Sequence, residues 1–460
     1  MRDPAVLFCL FSLLFGLAVI AINPPLRGPD ESAHFLRIYS VAQGKIVPSD
    51  VDDQGRRGLF LPAQLHEDFI FFEKVREEVP HPGLQFRILM RDFSLARAQR
   101  GEQDANAPAV FQPYGGSEAY SPASYLPYVA VSFLLQVAGA DFVSSIYAMR
   151  LAGLIAFTAM ATYAIAITPH LKWAFFLIAM LPSALYSRTV LSADGPALSS
   201  VLVVTALCLR ATLPNANERS VERSLWMTIC VAAKPAQVAF LLLEGMTTSL
   251  SAHLRRPGAL ALIILPGLCL TFVWLYAGSI DIGAWRITGE TDQARDAFDP
   301  VAKLRFMLEH PMHFPAALLQ SLDYSVELWR QLIGVLGWLD TYLVPLAYPT
   351  LTALTIVTFA EKLQVDSERR YRIAFWCIAA VLAYILAIFL IFYLSWTPID
   401  SDRVLGVQGR YFIVVLPPLA LFVAAIVNHR ISHKVIASCA ICGALVSGAA
   451  TIAAILKITW

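Results

Sequence analysis

Four short groups of chemically capable residues interrupt a chain that is otherwise mostly apolar. The first is Gly28-Pro29-Asp30-Glu31-Ser32-Ala33-His34-Phe35-Leu36-Arg37-Ile38-Tyr39. Proline followed by carboxylates marks a helix start, because acidic side chains suit the positive first turn. Asp30, His34 and Arg37 then fall at i, i+4 and i+7 on one face. A carboxylate, an imidazole and a guanidinium so arranged suit an acceptor hydroxyl and a phosphate. An N-cap followed by a plain surface helix accounts for the same spacing.

The second group is Asp194, in Leu191-Ser192-Ala193-Asp194-Gly195-Pro196, with Lys234, in Ala233-Lys234-Pro235. Each is an ionisable group amid apolar sequence, which is costly in a bilayer and marks a candidate functional residue. A lysine at the outer edge of a cavity suits a lipid phosphate. Snorkelling of Lys234 to the interface, and a loop position for Asp194 before its proline, are the plainer readings. The third group is Gln408-Gly409-Arg410-Tyr411-Phe412, where a guanidinium at the water boundary suits a phosphate or diphosphate. Asp400, Asp402 and Arg403 lie just upstream. An interfacial Arg-Tyr anchor explains the same residues. The fourth is Gly334-Val335-Leu336-Gly337-Trp338-Leu339-Asp340, whose Trp338 suits the C–H face of a sugar ring or an interfacial aromatic belt.

The elements that position these groups are membrane spans. Of 460 residues, 57% are hydrophobic and 15% charged, and the mean hydropathy is +0.60. Soluble domains carry roughly a quarter charged residues. The net charge of +1 leaves no basic field for nucleic acid. Apolar runs long enough to cross lie at 5–22, 150–168, 172–188, 195–212, 258–277, 341–360, 373–395, 411–427 and 436–457. Segments 124–140 and 225–248 are ambiguous. The first run is read as an uncleaved span, because Asn23, Pro24 and Pro25 follow it and no small-residue cleavage site does.

Lys and Arg in short loops give the orientation. Arg255 with Arg256, Lys362 with Arg369, Arg370 and Arg372, and Arg430 with Lys434 mark cytoplasmic loops. Arg210, Arg219 and Arg223 add 210–224 to that side, so 225–248 goes up and back as two short helices broken at Lys234-Pro235. Asp194 and Arg150 then lie outside, and 124–140 lies along the outer surface. The expectation is eleven spans, within a range of 10–13, with the N-terminus inside and the C-terminus outside. A rival version has 124–140 and 225–248 each cross once and puts Asp194 inside. Two large outer excursions result, 23–123 and 278–340; the first, with Asp50, Asp52, Asp53, Arg56, Arg57, Glu77 and Glu78, is long enough to have its own structure.

The seven cysteines all fall in apolar runs, which argues against a disulfide framework. No role is assigned to the Cys439/Cys442 pair or to His66, His81 and His170. No Walker loop, GxSxG, HExxH or zinc spacing is present. No internal repeat is evident, which weighs against a transporter.

Taken in order from about residue 23 to 420, these motifs resemble the bacterial membrane proteins grouped as domain of unknown function 2142. The resemblance rests on Pro29-Asp30-Glu31 with His34, Phe35 and Arg37, Ser192-Ala193-Asp194, Lys234-Pro235, Leu336-Gly337-Trp338-Leu339-Asp340, and Gln408-Gly409-Arg410-Tyr411-Phe412. Arg27-Gly28 precedes Pro29 where a second proline is expected. That family is similar to the GT-C membrane glycosyltransferases.

The resemblance implies an all-α bundle in the bacterial inner membrane. It divides into a seven-span module over 1–277, the second outer loop over 278–340 and a four-helix membrane region over 341–460. It further implies inverting transfer from a polyprenyl-phosphate-linked sugar to a glycan or glycolipid acceptor outside the cytoplasm. In that frame Asp30 is the general base, and Glu31 orients it or helps it hold a divalent cation, magnesium or manganese. Lys234 and Arg410, with Arg150, are the donor-phosphate ligands. His34, Arg37, Asp194, Trp338, Asp340, Gln408 and Tyr411 are substrate-binding candidates. The alternatives are a transporter or flippase for lipid-linked glycans, a polymerase or ligase moving a whole glycan, and a scaffold for an envelope assembly.

Overall fold

The computed structural model describes residues 3–78, 85–100, 107–213, 219–249, 252, 255, 257–278, 299–399, 401–427 and 431–460. His81, Arg256, Asp400 and Arg430 lie outside the described residues, as do the side chains of Glu77 and Glu78. Helix α1 (Pro4–Ile22) leads into the first excursion, with α2 (Glu31–Ala42), α3 (Ala63–Glu78) and α4 (Phe86–Arg100). There β1 (Gly58–Leu61) pairs antiparallel with β2 (Val110–Pro113). Next come α5 (Leu126–Val137), α6 (Phe142–Ile167), α7 (Lys172–Met180), α8 (Pro182–Thr189), α9 (Asp194–Ala211) and α10 (Ser220–Ala233). A 3-10 segment, Pro235–Met246, precedes α11 (Pro257–Ala277). The second excursion includes α12 (Pro300–Glu309), α13 (His313–Gln320), α14 (Ser325–Gly334) and a small hairpin of β3 (Val335–Leu336) with β4 (Thr341–Tyr342). Helices α15 (Ala347–Phe359), α16 (Ser367–Ser395), α17 (Leu416–Val427) and α18 (His433–Thr459) complete the bundle.

Among the described residues, seven helical stretches are long and apolar enough to cross a membrane: α1, α6, α9, α11, α16, Gly409–Val427 and α18. The other four expected spans fall on elements that are shorter or broken and do not reach that length: α7 with α8, α10, the 3-10 segment, and α15. Two of those expectations need correction. The 172–188 run is interrupted at Leu181, because Pro182 lacks an N–H and disfavours helix at the residue before it. The 341–360 run is helical only over Ala347–Phe359, because its first residues pair in the β3–β4 hairpin. Asp141 and Asp366 cap α6 and α16 by accepting from the Ser144 and Arg369 N–H groups.

Side-chain contacts sort the loops into two poles. Arg369 donates to Thr212 O at 3.2 Å and Arg372 to Met246 O at 3.2 Å. Arg223 pairs with Glu244 at 3.0 Å. The start of α10 and the end of the 3-10 segment therefore share one pole with the basic 362–372 loop. The segment turns back at Lys234, which is extended at φ −148°, ψ 139°. The up-and-back arrangement holds, and the single-crossing rival for 225–248 does not. The 124–140 segment is helical over Pro122–Val137, a 3-10 turn followed by α5, about 26 Å in all. It stays beside the other pole, where Gln136 donates to Tyr39 O at 3.3 Å.

The main core runs through the bundle around α9, whose residues 195–209 are all buried. A helix apolar all round belongs at the centre of a membrane bundle. A second core, with Phe35, Leu59, Phe69, Phe72, Phe93 and Tyr125, joins the first excursion to α5 and α6. The excursion is thus a folded cap on the pole that carries Asp30, Asp194, Lys234 and Arg410.

Candidate functional site

The separate charged motifs meet. Arg410 NH2 donates to Asp30 Oδ2 at 2.6 Å, across 380 positions of sequence. Its NH1 lies 3.6 Å from Asp194 Oδ2. Lys234 Nζ donates to Asp194 Oδ1. Lys234 also sits 5.0 Å from the Tyr411 ring centroid and 5.6 Å from that of Tyr120. Two carboxylates and two cations thus form one chain of charge. Asp30 is its accessible end: its side chain is 45% exposed, against 10% for Arg410 and 12% for Asp194.

Local backbone sets each member. Asp30 is the residue before α2 and is left-handed, with φ +55°. Its side chain makes no cap hydrogen bond and turns to Arg410. Asp and Asn tolerate this region better than most residues. Lys234 stands in the break between two short helices, where the freed Ala233 carbonyl is taken up by Ser124 Oγ at 2.8 Å. Gly409 admits Arg410: a Cβ there would collide with the Leu328 carbonyl oxygen. Gln408 accepts from Arg410 Nε at 2.6 Å.

A cavity of about 420 Å³ opens beside this chain. Asp30, His34, Lys234, Gln408, Tyr411 and Tyr120 form its polar end. Ile388, Ile391, Phe392 and Trp396 give it an apolar wall. His34 Nδ1 lies 2.7 Å from the Tyr125 hydroxyl. Burial holds His34 down to about 4, although Asp30 and Asp194 pull the other way; Arg410 and Lys234 reinforce the depression. The imidazole is therefore neutral at physiological pH. Burial likewise raises Tyr120, so its hydroxyl keeps its proton.

The His34 shift has a signed consequence. Between pH 6.5 and about 4 the unfolded chain binds a proton that the folded chain refuses. Stability should fall by about 3 kcal/mol as pH drops through that window. His34→Gln should remove that share of the slope, read as the difference between wild-type and variant unfolding curves in detergent. Parallel curves would sink the assignment.

Other expected site residues lie elsewhere. Glu31 is fully buried and paired with Arg150 at 2.6 and 2.8 Å. Its oxygens also accept from Gly28 N at 2.9 Å and Leu191 N at 3.0 Å. Arg150 gives two of its three remaining hydrogens to Asn23 O and Pro24 O. Helix α6 begins eight residues before Arg150, which places it inside the helix and not at its mouth. Neither residue lines the cavity, so Arg150 is not a phosphate ligand here. With both Glu31 oxygens engaged, a cation shared by Asp30 and Glu31 does not fit. Among the described residues, no group of three or more His, Cys, Asp or Glu converges for a metal.

Arg37 is buried one turn beyond His34 and donates to Lys45 O and Ile46 O, closing the loop after α2. Asp340 pairs with Arg27 at 2.9 Å, and Trp338 donates to Leu26 O at 3.4 Å. Those two contacts pin the β3–β4 hairpin onto the 23–28 turn, away from the cavity lining. Sequence reasoning missed Tyr120, Tyr125 and Trp396. The signal for the tyrosines was present in Glu118-Ala119-Tyr120-Ser121-Pro122-Ala123-Ser124-Tyr125, a run of aromatics and turn residues just before an apolar segment.

Fold and site together define an all-α, polytopic integral membrane protein with a charged cavity at one pole. Residues 13–423 match the model of a family described as "Predicted membrane protein (DUF2142)", and the chain belongs to that family. The match spans every motif from Asp30 to Phe412. No curated protein and no solved structure matches the chain.

Proposed function

We propose that this protein is a glycosyltransferase that moves a sugar from a polyprenyl-phosphate donor to an envelope glycan, glycolipid or other acceptor. One observation carries the reading: an accessible carboxylate, Asp30, and a cation, Lys234, line the polar end of a cavity with an apolar wall, and a second cation, Arg410, stands directly behind them, bonded to Asp30 and close to Asp194. A base for a hydroxyl, positive charge for a phosphate and apolar surface for a lipid chain are the three requirements of such a transfer. The likeness of the family to the GT-C enzymes supports it. Asp30 takes the proton of the acceptor hydroxyl as its oxygen attacks the anomeric carbon. The bond to the phosphate oxygen breaks, and its electron pair leaves with the lipid phosphate beside Lys234 and Arg410. Attack opposite the phosphate inverts the configuration. The phosphate is a good leaving group, so one carboxylate suffices, unlike the paired carboxylates of hydrolases.

By the positive-inside rule the Arg369–Arg372 pole faces the cytoplasm and the cavity faces outside; the family resemblance implies the inner membrane of a bacterium. A flippase would need charged residues along a through-path, whereas the four-member chain sits at one pole. The test is transfer from radiolabelled polyprenyl-phosphate hexoses and pentoses to envelope extract by the purified protein. Label should move with wild type, and Lys234→Met should lower the rate roughly 100-fold. Undiminished transfer by the variant would overturn the phosphate assignment. No transfer from any donor, with the protein folded, would favour the carrier reading.

A further inference from the structure

Lys234 and Arg410 do not meet the cavity as free cations. Lys234 donates to one oxygen of Asp194, and Arg410 lies 3.6 Å from the other. Asp194 begins helix α9, whose residues 195–209 are buried, and its backbone is fixed from behind. Its own N–H donates to Ser192 Oγ at 2.9 Å, and Leu191 N is held by Glu31 at 3.0 Å. Its side chain is only 12% exposed, which leaves little room to swing away when an anion arrives. Asp30 has that room, because its side chain is nearly half exposed.

We propose that Asp194 is a charge filter: a fixed carboxylate behind the two cations that favours a singly charged phosphodiester headgroup over monoester and diphosphate headgroups. This rests on the reading of the cavity as a lipid-phosphate site. The two cations and two carboxylates sum to zero before a ligand enters. A phosphodiester brings one negative charge and so sheds the least water on entering. A monoester brings nearly one more charge near neutral pH, and a diphosphate more again. Asp194, together with Asp30, cancels the pull of the two cations, so each added charge gains little attraction to offset the water it must shed in this partly dehydrated site. The expected discrimination is about tenfold per charge. Filtering of this kind separates a sugar joined through one phosphate from lipid diphosphates that share its tail.

The experiment uses the full chain in detergent and three probes with one tail: farnesyl methyl phosphate, farnesyl phosphate and farnesyl diphosphate. Affinities are read by calorimetry for wild type, Asp194→Asn and Asp194→Glu. Wild type should bind the diester at least about tenfold more tightly than the diphosphate. Asp194→Asn should shrink that ratio about tenfold, while Asp194→Glu keeps most of it. The ratio compares two ligands in one preparation, so partial loss of folded protein does not move it. A ratio unchanged in Asp194→Asn would overturn the filter and leave the lipid-phosphate site standing. Folded wild type that binds none of the three probes would overturn the lipid-phosphate reading, and the filter with it.

Discussion

Asp30→Asn should lower sugar transfer by roughly 100- to 10,000-fold, the range spanned by loss of a positioned general base. The substitution isolates the proton from everything else the residue does. Asn fills nearly the same volume and is one of the few side chains at ease at φ +55°. Its carbonyl oxygen can still accept from Arg410, which now bonds Asp30 Oδ2 at 2.6 Å. Donor binding and unfolding temperature should therefore stay close to wild type while kcat collapses. Asp30→Ala is a poorer probe. It releases Arg410 and puts a less tolerant residue in the left-handed region, at a cost of about 1 kcal/mol or more. A drop in donor affinity with kcat unchanged would make Asp30 a binding residue and not the base. Full activity in Asp30→Asn would remove it from the chemistry.

The pattern of spans was legible because bilayer physics writes it in long apolar runs and basic loops. Even the turn at Lys234 was readable, since a proline beside a lysine is hard to place inside one crossing helix. The convergence of Asp30, Lys234 and Arg410 followed from topology: all three were assigned to one face. What spacing could not supply was the partner of each charge. Asp30 and Glu31 are neighbours in sequence, yet a helix start sends successive side chains in different directions. One reaches Arg410 at the cavity and the other is buried against Arg150. Arg37 shares the face of His34 by periodicity, but one more turn carries it from the cavity to the loop carbonyls after α2. Trp338 and Asp340 looked like sugar contacts because aromatic and acidic residues sat at a span boundary; only the fold shows Arg27 and Leu26 waiting for them. Arg150 was misplaced because α6 extends past its apolar run, to Phe142.

Arg150→Met should destabilise the folded protein by about 3–5 kcal/mol, because it leaves the Glu31 carboxylate buried without its cation. It also strips donors from Asn23 O and Pro24 O, so of these ties to α6 the end of α1 keeps the bond from the Tyr147 hydroxyl to Asn23 O. The double variant Arg150→Met/Glu31→Gln should recover part of the loss by removing the orphan charge. Recovery cannot be complete, since Gly28 N and Leu191 N each bond a Glu31 oxygen now. Those two N–H groups explain why a buried pair well away from the cavity lining bears on the chemistry. Gly28 stands two residues before Asp30 and Leu191 three before Asp194, so one carboxylate holds both turns that aim the cavity acids. Unfolding in detergent measures the stability term, and donor affinity of the remaining folded protein separates the roles. A clamp predicts lower stability with little change in donor affinity. A phosphate ligand predicts the reverse, and wild-type stability with weakened donor binding would return Arg150 to the cavity.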